Sequence, residues 1–333
     1  MRAIFLCERN DKIFSVYDTE TVGELQKITN IEKKIYSKSD VIGNPDAFSD
    51  VDIIFSTWGM PEFTEEEIKR CFPSLKCVFY GAGTVQSFAR PFLNCGVKVF
   101  SAWAANAVPV AEMTVAKIVM ANKGYFLTNR VFHTDGYRRA RDVFKAVHGN
   151  YGETVGIIGA GMIGKLVIGM LKRYNLNVIV FDPFLPDEKA EELGVEKCEL
   201  HELFERAFVV SNHLANNAQT VGMLNYELLC RMRENSVFIN TGRGAQVVED
   251  DLVRILGERP DLTALLDVTY PEPPVDGHPF YALPNCLLTP HIAGSAGDEV
   301  ARMGEYMLRE CESYLKGETC KYEVSMKMLE TMA

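Results

Sequence analysis

Three polar residues stand where apolar runs stop and small or rigid residues follow: Arg243, Glu272 and His291. Arg243 lies between Gly242 and Gly244, a poor place for packing a long cation. Its planar guanidinium suits two-point binding of a carboxylate, and a plain surface arginine is the alternative. Glu272 sits between Pro271 and Pro273, which hold it in a rigid turn; alone it would read as an exposed loop acid. His291 follows Pro290 and is trailed by Ala293, Gly294, Ser295, Ala296 and Gly297, which leave room for a ligand. An imidazole is matched to proton transfer near neutral pH, and a satisfied structural histidine is the alternative. A carboxylate beside it would orient the ring and favour its charged form. The other histidines are weaker candidates. His133, His148 and His201 lie in polar sequence, and His278 lies in a turn between Gly277 and Pro279.

Short apolar runs alternate with longer helix-like stretches almost throughout, the pattern of parallel strands joined by crossover helices. The first third reads as strands over 3–7, 34–36, 53–56, 77–80 and 98–100. A helix is expected over 64–71, with Thr64 as N-cap and Glu65, Glu66 and Glu67 in its first turn. A long helix is expected over 106–125 with Pro109 in its first turn, and 127–151 reads as an irregular helix or loop. A second series of strands follows over 154–159, 178–182, 208–212, 237–241, 263–268 and 286–289, then a last helix over 298–315 ending at Gly317. The tail from Glu318 shows no pattern. The expected fold is α/β with two doubly wound domains, one inserted into the other. Residues 1–103 with 297–333 form a substrate domain, and 104–296 a dinucleotide-binding domain.

The second series opens on the apolar run 155–158, followed at once by Gly159-Ala160-Gly161-Met162-Ile163-Gly164 and a helical pattern. This is G-x-G-x-x-G in the strand–turn–helix setting that it requires. The first glycine allows the turn, the second lets a pyrophosphate approach, and the third lets helix and sheet pack closely. The helix start offers free N–H groups to the anion at Met162 and Ile163. Asp182 ends the next strand, 18 residues after Gly164, where an acid binds ribose hydroxyls. It would repel a 2′-phosphate, and no base stands beside it, so NAD is expected over NADP. His213, at the end of the run 208–212, and Thr220 beyond it are further cofactor-side candidates; a structural role for His213 fits equally well. In such sheets ligands bind outside the carboxyl ends of the strands, where Arg243, Glu272 and His291 also fall. With a nicotinamide as hydride acceptor, this set fits oxidation of a 2-hydroxy acid.

Composition removes other classes. The 333 residues carry a net charge of −10, with no Lys/Arg-rich run, which disfavours nucleic-acid binding. No apolar stretch approaches the roughly 18–20 residues of a membrane span, and the short run at the N-terminus reads as a first strand rather than a signal peptide. The nine cysteines are odd in number and lack any Cys-x-x-Cys pair. Neither a metal site nor a disulfide framework is suggested, and a cytoplasmic location is expected.

At these residues the sequence resembles the D-isomer-specific 2-hydroxyacid dehydrogenase family. Asn106-Ala107-Val108-Pro109-Val110-Ala111-Glu112 is similar to the start of its domain-crossing helix. Segments 237–244, 266–273 and 288–294 are similar to its arginine, glutamate and histidine motifs. The resemblance implies that Arg243, Glu272 and His291 match the catalytic trio. It implies that Gly81-Ala82-Gly83 receives the substrate carboxylate, and that Thr241, Asp267 and Gly294 contact the nicotinamide half. It also implies a Rossmann domain inserted into a flavodoxin-like one, and a homodimer. The chain departs from the family at Thr84-Val85-Gln86-Ser87, where an Asp is usual, and at Leu214-Ala215-Asn216-Asn217, where Pro-Leu-Thr is common. These departures bear on substrate identity. An NAD-sensing or corepressor-like binding protein on the same fold is the alternative reading.

Overall fold

The structure is a computed structural model that describes residues 1–8 and 10–330. The chain divides into two compact units, 1–106 with 295–333, and 107–294.

The first unit holds strands β1 (Arg2–Leu6), β2 (Asn30–Tyr36), β3 (Ile53–Ser56), β4 (Cys77–Tyr80) and β5 (Lys98–Ser101). Their order is β2-β1-β3-β4-β5, all parallel, which is the flavodoxin-like arrangement. Alternation along the strands sends two sets of side chains to two cores. Phe5, Phe55, Phe79 and Phe100 occupy matching register positions on adjacent strands and form a continuous ladder, with ring centroids 6.0, 5.2 and 4.7 Å apart. Helices Asn10–Val16 and Ala301–Lys316 cover that face through Ile13, Val16, Met303 and Met307. On the opposite face Ile4, Leu6, Ile54 and Val78 meet Val41, Ile68 and Phe92. Helix Glu65–Cys71 starts as expected, with Thr64 and Glu67 capping each other reciprocally.

The second unit holds β6 (Tyr151–Ile158), β7 (Asn175–Phe181), β8 (Glu196–Lys197), β9 (Val209–Asn212), β10 (Val237–Asn240), β11 (Thr263–Leu266) and β12 (Cys286–Leu288). They lie in the order β8-β7-β6-β9-β10-β11-β12, all parallel. This is the Rossmann order extended by one strand, with its switch point between β6 and β9. The central strands are buried on both faces, as near-continuous Val/Ile/Leu runs require in a parallel sheet.

Several elements differ from expectation. The long helix is Trp103–Asn122, so Pro109 lies in its second turn rather than its first. The helix also meets the length and hydropathy of a membrane span, although no such stretch was expected. The reason is burial: Ala111, Val115, Ile118 and Ala121 enter the core beside β6 and β10, and half of the apolar window is buried. Region 127–151 is largely the helix Tyr125–Phe144, broken at Gly136, whose φ of 81° no helical residue adopts. The tail from Glu318 is not patternless. Glu323–Val324 forms β13, an antiparallel edge strand on β5, and residues 331–333 lie outside the described ones. Two residues are too few for alternation to register.

One buried charge cluster braces the second unit. Glu153, 4% exposed at its side chain, takes Arg233 Nη1 at 2.6 Å and His148 Nδ1 at 2.7 Å. Burial pushes its carboxyl up, but Arg233, the Thr154 N–H and His148 outweigh this and hold it below the usual range. Its stabilisation is therefore complete above the unfolded value of about 4.3. It disappears as pH falls through the lower folded value. Glu153→Gln should cost about 2 kcal/mol at neutral pH. In thermal melts the gap from wild type should close as pH drops below about 4; an equal gap at all pH values would deny the ion pair its role.

Candidate active site

Strand ends β10, β11 and β12 are neighbours about 4.8 Å apart in the sheet, and each leads into one candidate residue. His291 and Glu272 meet directly: His291 Nδ1 lies 2.6 Å from Glu272 Oε1. An ionised carboxylate can only accept, so the proton sits on Nδ1 and Nε2 faces outward for a reacting group. Both side chains remain partly open, at 45% and 39%.

His291 has φ of +53°, a left-handed conformation uncommon outside glycine, although asparagine, aspartate and histidine adopt it more often than other residues. Its N–H bonds the carbonyls of Asp267 (2.9 Å) and Thr289 (3.0 Å). The Asp267 carboxylate grips both flanks of the histidine. It accepts from Thr289 Oγ1 at 2.6 Å, Ile292 N at 2.9 Å and Ala293 N at 2.8 Å. Asp267 is 2% exposed, and these donors replace the water that it has lost. Gly294 ends the unit just beyond.

Arg243 is held by a polar network that the motif reading missed. Asn212 Nδ2 donates to Asn240 Oδ1 (3.1 Å) and Gln246 Oε1 (2.6 Å). Gln246 Oε1 also accepts from Arg243 N, while Asn240 Nδ2 donates to Arg243 O. All three amides are buried. Asn212 and Asn240 have one sequence signal, a polar residue at the end of a strand, and Gln246, in the turn after β10, has none. The arginine's Nη1 donates to Gly242 O at 2.8 Å. Burial lowers the guanidinium pKa, and Glu272 opposes that shift. Next to it, Gly244 packs on the chain that leads to Glu272. A Cβ there would stand 2.0 Å from the Thr269 carbonyl carbon. The peptide bonds Tyr270–Pro271 and Glu272–Pro273 are both cis.

The glycine turn fits a dinucleotide. Gly159 has φ of +90°, and a Cβ on it would meet the His213 carbonyl oxygen at 2.9 Å, where β6 and β9 diverge. A Cβ on Gly164 would stand 2.0 Å from Gly159 O, whereas one on Gly161 would meet nothing within 4 Å. The turn thus closes tightly behind and stays open in front. Helix Met162–Leu171 begins there with no side-chain cap, leaving its first N–H groups for an anion, and Met162 is exposed while Ile163 packs against the core. Asp182 Oδ2 accepts from Ala160 N at 2.7 Å and Oδ1 from Phe184 N at 2.8 Å, tying the acid to the turn.

His213 is buried, its Nε2 is 2.9 Å from Ser211 Oγ, and its Nδ1 has no partner among the described residues. Burial lowers its pKa to about 4, so the ring is neutral at physiological pH. Thr241 Oγ1 is 3.1 Å from Thr114 Oγ1. Thr220 closes a local turn through Ala215 O and Asn217 O.

In the first unit, Gly81 has no room for a side chain: a Cβ would meet Val16 Cγ1 at 2.7 Å. Hydroxyls of Thr57 and Ser101 bond the carbonyls of Gly81, Ala82 and Gly83. The N–H groups of Ala82 and Gly83 have no partner among the described residues. Asn106, unremarked as a site residue in the sequence, has its Nδ2 3.6 Å from the place a Gly83 Cβ would take, and its Oδ1 accepts from Ser295 N.

Known proteins resemble the chain in sequence and in fold. Residues 115–293 match the D-isomer specific 2-hydroxyacid dehydrogenase, NAD binding domain. The chain is similar to a D-3-phosphoglycerate dehydrogenase of Methanocaldococcus jannaschii, 31% identical over 69% of this chain and 44% of that protein. It is also similar to an uncharacterized protein of the proB 3′ region of Corynebacterium melassecola, 32% identical over 83% of this chain and 89% of that one. The chain spans about half the length of the phosphoglycerate dehydrogenases that it matches. Its fold is that of Rhodotorula graminis D-mandelate dehydrogenase, with a TM-score of 0.78 at 19% identity over 97% of each chain. With the glycine turn, the strand order and the match over more than half its length in agreement, the chain belongs to the D-isomer specific 2-hydroxyacid dehydrogenase family, and its second unit is the NAD-binding domain.

Proposed function

We propose that the protein moves a hydride between NAD and C2 of a 2-hydroxy or 2-oxo acid. The 2.6 Å contact of His291 Nδ1 with Glu272 carries this reading, because it leaves Nε2 as a proton carrier of fixed orientation. NAD, when bound, accepts or supplies the hydride. In oxidation His291 Nε2 takes the hydroxyl proton as the C2–H bond gives up its electron pair. In reduction the imidazolium returns that proton to the carbonyl oxygen. Glu272 orients the ring and favours its charged form. Arg243 binds the substrate carboxylate and polarises the reacting oxygen. The N–H groups of Ala82 and Gly83, without a partner among the described residues, support an anion-receiving role for that loop.

Segments 58–61 and 81–86 carry no Lys or Arg. That favours an unphosphorylated acid, even though phosphoglycerate dehydrogenases are among the relatives. The test is loss of NADH absorbance with a panel of 2-oxo acids running from glyoxylate and hydroxypyruvate to bulkier chains and a phosphorylated member. Turnover with NADH on unphosphorylated acids is expected. Arg243→Lys should cut kcat/KM about 100-fold, because a point charge cannot reproduce the planar fork. Absence of turnover on every acid, with NADH still bound, would point instead to a cofactor-sensing protein. Full activity of the lysine variant would remove Arg243 from the substrate site.

A further inference from the structure

Glu272 is stiffened by its flanking prolines and by Thr269 Oγ1, which donates to Pro271 O at 3.0 Å, but its segment has little packing of its own. Residues 271–277 are exposed apart from the half-buried Pro274, and no member of that stretch belongs to a hydrophobic core. The segment is fixed at its two ends, and both ends reach one side chain. Glu249 Oε1 accepts from Tyr270 N at 2.8 Å, two residues before Glu272. Glu249 Oε2 lies 3.4 Å from His278 Nε2, six residues after it.

The His278 tautomer suits that contact. Its Nδ1 accepts from Phe280 N at 3.3 Å, so Nε2 carries the proton and points it at the carboxylate. Phe280 is 1% exposed, its ring 4.6 Å from the imidazole, and anchors that end in the core. Both Glu249 and His278 are 12% exposed at their side chains. An acid in the first turn of a helix ordinarily serves its own helix start. Glu249 opens helix Glu249–Glu258 yet turns outward to another segment, and the helix has no side-chain cap.

We propose that Glu249 is a positioning residue for the reaction assigned above: through Tyr270 and His278 it fixes both ends of the segment that carries Glu272, and so sets the Glu272–His291 pair. The proposal rests on that assignment for its kinetic consequence, but not for its structural one. Glu249→Ala removes the Glu249 tie from both ends. Glu249→Gln keeps an oxygen for Tyr270 N and sets an amide N–H₂ against the N–H of His278, so it removes the tie from one end alone.

The test compares kcat, KM, NADH affinity and thermal melting of Glu249→Ala, Glu249→Gln and His278→Ala. It also follows the ring ¹⁵N signals of His291 in histidine-labelled protein, identified by their loss in His291→Asn. Glu249→Ala should lower kcat about 10- to 100-fold, as small misplacements of catalytic groups do. KM and NADH affinity should hardly change, and the His291 signals should move in the same direction as in Glu272→Gln. Glu249→Gln should recover most of kcat, and adding His278→Ala to it should change nothing more. Wild-type kcat and unmoved ring signals in Glu249→Ala would overturn the proposal. So would equal losses in the Ala and Gln variants that follow their melting temperatures. If Glu249→Ala does not fold, the ring signals of the other two variants decide, and unmoved signals in both would overturn it. If the wild type reduces no 2-oxo acid, the assigned reaction fails while the ring signals still judge Glu249.

Discussion

His291→Asn should lower the proposed reduction of a 2-oxo acid by about 10²- to 10⁴-fold, the range that general acid–base catalysis supplies. NADH affinity stays at the wild-type value. Asparagine is chosen because the position has φ of +53°, which asparagine tolerates better than alanine does. The backbone bonds of residue 291 to Asp267 O and Thr289 O then survive, and the loss can be assigned to the ring. Stopped-flow or steady-state loss of NADH absorbance measures the effect, and fluorescence titration measures cofactor affinity. If the variant retains more than a tenth of the wild-type rate, another group carries the proton. A loss of NADH affinity equal to the loss of rate would mean instead that the residue shapes the cofactor site.

The second large effect is expected in the glycine turn. Gly164→Ala places a methyl group 2.0 Å from Gly159 O, a backbone atom that cannot move without opening the turn. NADH affinity should fall at least about 100-fold and the protein should lose about 1–3 kcal/mol or more of stability, as overpacked sites do. Gly161→Ala is the control. Its methyl group meets no protein atom within 4 Å, so the fold should keep its melting temperature. Affinity should still fall, because that methyl group takes the space into which the pyrophosphate would come. Melting curves with NADH titrations separate the two variants. Equal behaviour of both would mean that the open face of the turn is not where the cofactor lies.

Much of this was legible in the sequence, for identifiable reasons. The strands at Ile53–Ser56 and Cys77–Tyr80 match the runs read from sequence residue for residue, because every position in them is buried and no exposed face breaks the run. The Thr64 cap was readable because its physics is local. Helix Trp103–Asn122 begins earlier than Pro109 suggested, since tertiary burial outweighs a proline's preference for the first turn. The edge strand at Glu323–Val324 is held by pairing with Val99 and Phe100, over 200 residues away, and leaves no local mark. Arg243, Glu272 and His291 stand out in sequence by their flanking glycines and prolines. Only their shared place at strand ends and the family resemblance join them into one candidate set, of which His291 and Glu272 meet at 2.6 Å. The support beneath them does not stand out. Asn212, Asn240 and Gln246 come from separate loops and strands, and only the sheet order brings their amides together. Likewise nothing next to Glu249 in sequence announces its reach to Tyr270.

Gly244 and Thr269 touch so closely that the two loops beside them cannot drift apart independently. Substitutions in one loop are therefore felt in the other, and their energies will not add. A redesign that widens the site by altering the arginine loop alone inherits a displaced glutamate. Change of specificity through these loops is a joint problem, solved on both strand ends at once or on neither.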